Sequence, residues 1–181
     1  ILYLGRLERA KGVDLLCEAV ARCAVRFPHL RLDVAGWGAL EPMLRQQYRN
    51  HSQIAFHGAV FGEDKARLLA ACNAVAVPSV YPEIFGNVVA EAYAYGKPVL
   101  AARSGGLPEL VADGATGWLV PPRDVDALTN AVGRIAAEPA TVRRMAPACF
   151  DAARQYAVER IVVEYGSLYE EVLGRRGEDA H

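Results

Sequence analysis

Short apolar runs alternate with amphipathic stretches along almost the whole chain. Ile1–Leu4, Arg31–Ala35, Ile54–Phe56, Ala74–Val77, Pro98–Ala102 and Gly117–Val120 read as short buried strands. Between them lie segments of helical period. Val13–Phe27 gathers Leu15, Leu16, Ala19, Val20 and Cys23 on one face. Leu40–Tyr48, Glu63–Ala71, Phe85 to about Tyr95, and Leu107–Val111 follow in turn. Asp124–Glu138 is a helix with Asp124 as its N-cap. Thr141–Ala153 is a weaker helical segment, Val158–Leu173 a final helix, and 174–181 a polar, disordered tail.

Strand following helix in this way predicts an α/β, Rossmann-like fold: a doubly wound parallel sheet of about six strands with helices on both faces. Crossovers in such sheets are right-handed, and ligands bind at the carboxyl ends of the strands. The loops carrying Arg6, Gly36, Gly58, Glu83 and Gly105 all follow strands, so all are expected along that one edge.

The stretch from Pro78 to Val99 concentrates the candidate chemistry. Pro78 stops a buried strand, Phe85-Gly86-Asn87 open a helix, Gly96 ends it and Pro98 starts the next strand. Free amides at a helix start attract anions, and Gly86 lets a ligand approach the backbone. Glu83 lies before the helix and Glu91 inside it, roughly 7 Å along at ~1.5 Å of rise per residue. One acid reaches what lies in front of the amides and the other what lies beside them. A phosphate with a sugar on each side suits that layout.

Three other loops add to it. Arg6 and Lys11 follow the first strand and read either as a diphosphate clamp, one a fork and the other a point charge, or as two solvated cations. Gly36-Trp37-Gly38 is a turn that needs small residues, or a close approach for a ligand. Ser104-Gly105-Gly106 reads as a backbone nest for an anion or sugar hydroxyls, or as a flexible turn. His57 is expected to be packed or solvated.

The segment Pro-Ser-x-x-Pro-Glu83-x-Phe-Gly-Asn-x-x-x-Glu91-Ala resembles the E-x7-E signature of retaining glycosyltransferases of the GT-B fold, family four (group 1). Gly5-Arg6-Leu7-x-x-x-Lys11-Gly12, Ala35-Gly36-x-Gly38, and Ser104-Gly-Gly-Leu-Pro-Glu109 with Gly114-x-x-Gly117-x-Leu-Val120 fit the same family in the right order. The resemblance covers about residues 1–170 and only the C-terminal, donor-binding half of such an enzyme. It implies transfer of a sugar from a nucleotide-sugar donor to an acceptor hydroxyl with retention at the anomeric carbon. It implies that Glu83, Arg6 and Lys11 are catalytic-site residues. Glu83 contacts donor-sugar hydroxyls, and the two cations balance the diphosphate. It implies donor binding by Gly5, Gly36, Phe85, Gly86, Asn87, Glu91, Gly105 and Gly106, with Glu91 on the ribose. Glu109 is expected to be structural. Trp37 departs from the family, which often carries an acidic residue between the two glycines. The nucleotide sugar is a substrate, and no metal or other cofactor is expected. An N-terminal acceptor domain is absent from this chain, so 1–173 is expected to bind donor and, alone, to transfer nothing. A GT-B epimerase or phosphorylase half, or a noncatalytic nucleotide-binding module, are the alternatives.

Composition changes little. The 181 residues suffice for one domain with a sizeable core, at 52% hydrophobic and 23% charged. A net charge of −1 gives no sign of nucleic-acid affinity. No apolar run approaches a membrane span and no signal peptide opens the chain, so a cytoplasmic setting is expected, with peripheral membrane association possible for the parent only. Cys17, Cys23, Cys72 and Cys149 lack metal spacing and read as buried or inert thiols. No G-x-G-x-x-G follows the first strand and no G-x-x-x-x-G-K-[ST] occurs, which disfavours a dinucleotide dehydrogenase and a phosphate-loop NTPase. The chain opens inside a strand and reads as an excised or truncated piece.

Overall fold

In the computed structural model, which describes residues 1–178, six parallel strands form one sheet. They are β1 (Leu2–Leu4), β2 (Leu32–Ala35), β3 (Ile54–Gly58), β4 (Val75–Val77), β5 (Val99–Ala102) and β6 (Gly117–Val120). Their order is β3-β2-β1-β4-β5-β6, so the sheet grows one way from β1 and the other way from β4. The crevice between β1 and β4 is the switch point where such sheets bind ligands. Leu2 is in register with Asp33 on one side and Val75 on the other.

The inner strands are apolar because both their faces are covered. Leu2, Leu32, Val34, Val75, Ala76, Val99 and Leu100 are all fully buried. The edge strand β3 instead alternates, with Ala55 and His57 exposed. Helices α1 (Val13–Cys23), α2 (Glu41–Gln47), α3 (Gly62–Ala71), α4 (Asn87–Ala94), α5 (Leu107–Leu110) and α6 (Val125–Ala137) connect and flank the strands. Helices α7 (Pro139–Arg144), α8 (Ala146–Ala153) and α9 (Val158–Glu178) follow. Helix α1 packs against α6 and α4 against α8, which covers both faces of the sheet. The expected doubly wound architecture is the observed one.

The differences are local and have local causes. Helix α1 ends at Cys23 and not at Phe27. The Ala24 amide turns back to the Ala21 carbonyl, and Val25 is 95% exposed, so no burial rewards another helical turn. The segment expected as one helix over 141–153 is two, broken at Met145. Pro147 lies in the first turn of α8 and has no N–H for the carbonyl of Arg143, so the helix restarts there. Helix α9 continues past Leu173 to Glu178, where a polar tail was expected. The rest of that tail, 179–181, lies outside the described residues.

All four cysteines are free and buried, as the sequence suggested. Burial pushes the thiols of Cys17 and Cys149 up to about 12, and those of Cys23 and Cys72 upward as well.

Candidate functional site

The loops at the carboxyl edge enclose a cleft of two lobes that share Leu4, Gly5 and Val88. The first, about 520 Å³, lies over β1 and β4 and is walled by Lys11, Ser79, Glu83 and the start of α4. The second, about 280 Å³, lies towards β2 and β3 and is walled by Arg6, Gly36, Trp37, Phe61, Lys65 and Glu91. Together they are large enough for a ligand of nucleotide size.

In the first lobe, Gly86 is the N-cap of α4. Its φ of 74° is left-handed, a conformation that glycine adopts without strain, and no side chain caps the helix. The Val89 amide turns back to the Gly86 carbonyl at 2.8 Å, while Asn87 and Val88, at the start of the helix, line the cavity without a side-chain cap. Helix α4 is held in place by Tyr93, whose buried hydroxyl donates to the Leu110 carbonyl at 3.0 Å and pairs with the Thr116 hydroxyl at 2.7 Å. Phe85 also lines this lobe, and its ring meets that of Tyr156 edge-on, 5.4 Å between centroids.

Glu83 is held by two donors on a single oxygen. Lys11 Nζ donates to Oε1 at 2.6 Å and Ser79 Oγ at 2.5 Å. Oε2 takes part in neither bond. The backbone of Glu83 is held too. Its carbonyl accepts the Gly106 amide at 2.8 Å, and it forms a parallel bridge with Gly105. A Cβ on Gly105 would sit 2.2 Å from the Glu83 carbonyl oxygen, so only glycine permits this approach. The nest expected at Ser104–Gly106 thus spends its Gly106 amide on Glu83.

The second lobe carries the other acid. Glu91 accepts from Lys65 Nζ at 2.9 Å, an ion pair between α4 and α3 with both side chains about one-third exposed. Arg6 is on this wall, 61% exposed, and pairs with Glu8 at 3.2 Å. The structure therefore places Arg6 and Lys11 on different lobes, with Gly5 common to both. Tyr3 fixes the loop between them by donating its hydroxyl to the Arg6 carbonyl at 2.6 Å. Burial, and secondarily the Glu83 carboxylate, push the Tyr3 phenol well above its ordinary pKa, so it stays a neutral donor. Gly36 lines the second lobe. His57 pairs with Asp33 at 2.7 Å across β2 and β3 and lines neither lobe.

Lys65 and Ser79 were not singled out by sequence. Lys65 on α3 meets Glu91 on α4 across 26 positions of the chain, and no local spacing announces that. Ser79 lies four residues before Glu83 in a loop, where no helical spacing rule applies. Among the described residues no group of three or more His, Cys, Asp and Glu could hold a metal ion, and no helix is long and apolar enough to cross a membrane.

Residues 1–138 match the family model for glycosyl transferases group 1. The chain is 34% identical over 194 aligned positions to D-inositol 3-phosphate glycosyltransferase of Streptomyces griseus, covering 99% of this chain and 41% of that one. In structure it is similar to sucrose-phosphate synthase from Thermosynechococcus elongatus, with a TM-score of 0.84 and 34% identity over 96% of this chain and 45% of the other. It is also similar to Anabaena HepE in complex with UDP-glucose, with a TM-score of 0.79 and 31% identity over 96% of this chain and 48% of the other. The chain thus spans less than half the length of each of these relatives. Six parallel strands, a two-lobed cleft at their switch point, and the family match over most of its length show that this chain belongs to the glycosyl transferases group 1 family of GT-B glycosyltransferases and corresponds to a C-terminal part of them.

Proposed function

We propose that residues 1–173 are the donor-binding domain of a retaining glycosyltransferase, and that the parent moves a sugar from a nucleotide-sugar donor to an acceptor hydroxyl. The observation that carries this reading is the continuity of the two lobes. One holds an uncapped helix start with Lys11 and Glu83, and the adjoining one holds Glu91. A diphosphate bridging a sugar and a nucleoside has that charge pattern and length. The solved complexes of Anabaena HepE with UDP and with UDP-glucose support the choice of ligand.

In this reading the nucleoside occupies the second lobe, with its ribose hydroxyls on Glu91, and the donor sugar occupies the first, with its hydroxyls on Glu83 Oε2. The bond from the anomeric carbon to the phosphate oxygen breaks, and one from the same carbon to the acceptor oxygen forms on the same face. The nucleoside diphosphate leaves with the bonding electrons, and its departing phosphate oxygen takes the proton that the acceptor hydroxyl gives up. Charge developing on the leaving phosphate is met by Lys11, Arg6 and the α4 amides, fixed donors that need little reorganisation. The nucleotide sugar is a substrate, and protein groups rather than a cofactor supply the positive charge.

In this reading the acceptor binds a further domain of the parent, in keeping with relatives more than twice as long as this chain. Helix α9 supports that arrangement, since Val162, Val163, Tyr165 and Tyr169 are all more than half exposed and a second domain would cover them. The test is product analysis. The full-length parent should form an acceptor-dependent glycoside whose anomeric configuration, read by NMR, matches that of the donor. The purified 181-residue chain should bind donor and form none. Inverted product would overturn retention, and acceptor-dependent product from the chain alone would overturn the division between domains.

A further inference from the structure

We propose that Trp37 is a nucleobase-stacking residue, the indole forming one wall of the site for the base of the nucleotide. The proposal deepens the donor-site reading given above and rests on it. Among the described residues the chain has two tryptophans in opposite settings. Trp118, in β6, is 5% exposed and belongs to the core, whereas Trp37 is 61% exposed on the lip of the second lobe. Phe61, 76% exposed, lines the same lobe. Two large aromatics facing one cavity and left wet are unfavourable for an isolated domain and favourable for a site that receives a flat apolar group.

The backbone under Trp37 is fixed on both sides. The Leu7 amide donates to the Trp37 carbonyl at 2.8 Å, and the Gly36 amide donates to the Gly58 carbonyl at 2.7 Å. Gly36 has a φ of 145°, and a Cβ there would lie 1.7 Å from the Gly5 carbonyl oxygen, so the strand end and the first loop are in direct backbone contact. The three loops after β1, β2 and β3 are thereby stapled together, with Trp37 on the middle one. The backbone that carries the indole is thus held in place, so only the side chain's own torsions are left to order when a ring packs on it.

The rest of the lobe is consistent with a nucleoside. Lys65 and Glu91 supply hydrogen-bonding groups for a ribose, and Ala59 and Val60 supply a small apolar floor. Every base has a π face, so stacking on Trp37 raises affinity for nucleotides generally. It does not choose among bases.

The test is titration of the purified chain and of the W37F and W37A variants with UDP, ADP and GDP, the matching nucleosides, and inorganic pyrophosphate. Tryptophan emission and calorimetry are read in parallel. The expected result is that the preferred nucleotide changes the emission of the wild type and leaves that of W37F unchanged, because Trp118 is buried. W37F keeps affinity within a few-fold. W37A binds nucleoside and nucleoside diphosphate about tenfold more weakly, and pyrophosphate as the wild type does. If the wild type binds nucleotides and W37A matches it, the stacking role is overturned and the donor site stands. If the wild type binds no nucleoside or nucleoside diphosphate, both the donor site and the stacking role fall.

Discussion

Lys11 Nζ and Glu83 Oε1 are 2.6 Å apart, although the two residues are separated by 72 positions in the chain. The pair joins the loop after β1 to the loop after β4 across the switch point, with Lys11 about one-third and Glu83 about one-sixth exposed. Each charge therefore satisfies the other, and an arriving diphosphate must share Lys11. A hydrogen bond to a charged group contributes about 1.5–3 kcal/mol, less where salt screens it. Lys11→Ala should weaken nucleoside-diphosphate binding roughly tenfold and leave bare nucleoside binding unchanged. Calorimetry with both ligands checks this, and equal losses would mean that Lys11 does not read phosphate.

The two glutamates should fail differently. Glu91→Gln keeps size but weakens a charge-assisted bond, so nucleoside-diphosphate affinity should fall by about 1–2 kcal/mol. Glu83→Gln frees Lys11 and should cause no such fall. In the full-length parent it should lower kcat much more than donor affinity, as expected for a contact that strengthens in the transition state. If both acids were merely structural, Glu91→Gln would lower the melting temperature without selective loss of binding. Identical behaviour of the two variants in affinity, melting temperature and kinetics would sink the division of labour.

Gly105→Ala tests whether the loop after β5 positions Glu83. The new methyl would meet the Glu83 carbonyl oxygen at 2.2 Å, at a φ of 59°. Backbone strain of this kind costs on the order of 1–3 kcal/mol. Displacement of the Glu83 loop should weaken nucleotide-sugar binding more than nucleoside binding, because the sugar lobe is the one disturbed. Melting curves and paired titrations read both effects, and a variant that binds both ligands as the wild type does would show that the contact is dispensable.

How much of this was legible in the sequence follows from the range of the interactions. Strand and helix period gave the sheet and its edge, since burial on two faces leaves continuous apolar runs such as Val75–Val77 and Val99–Ala102. The glycine-led helix start at Asn87 was legible from Gly86 and the flanking loop residues. The partners of the acids were not. Lys65 reaches Glu91 and Lys11 reaches Glu83 through tertiary packing alone. The separation of Arg6 from Lys11 into two lobes was equally hidden, because five positions along a loop fix no direction. The break at Met145 was readable in principle from Pro147, but the apolar pattern runs through it.

Buried acids of high pKa make alkaline pH destabilising. The thiols of Cys17 and Cys149 and the phenols of Tyr48 and Tyr93 are all pushed up to about 12, chiefly by burial. Their unfolded-state values lie near 8.5 for cysteine and about 10 for tyrosine. Below those values both states are protonated and the groups do not affect stability. Above them the unfolded chain loses protons first, so stability falls as pH rises from about 9 towards 12. Melting temperatures across that range should decline steadily, and the native cysteines should resist alkylation at pH 8 until denaturant is added. Rapid labelling of the folded chain would contradict the burial argument.

The most direct test of the account is calorimetric titration of the purified chain with a panel of nucleotide sugars and their nucleoside diphosphates. The cleft at the β1–β4 switch point predicts saturable one-to-one binding of at least one nucleotide sugar, competed by its own nucleoside diphosphate. That binding should be weaker in both Lys11→Ala and Glu91→Gln. Absence of saturable binding for every member of the panel at millimolar concentration, or binding unaltered in both variants, would contradict a donor site in this cleft.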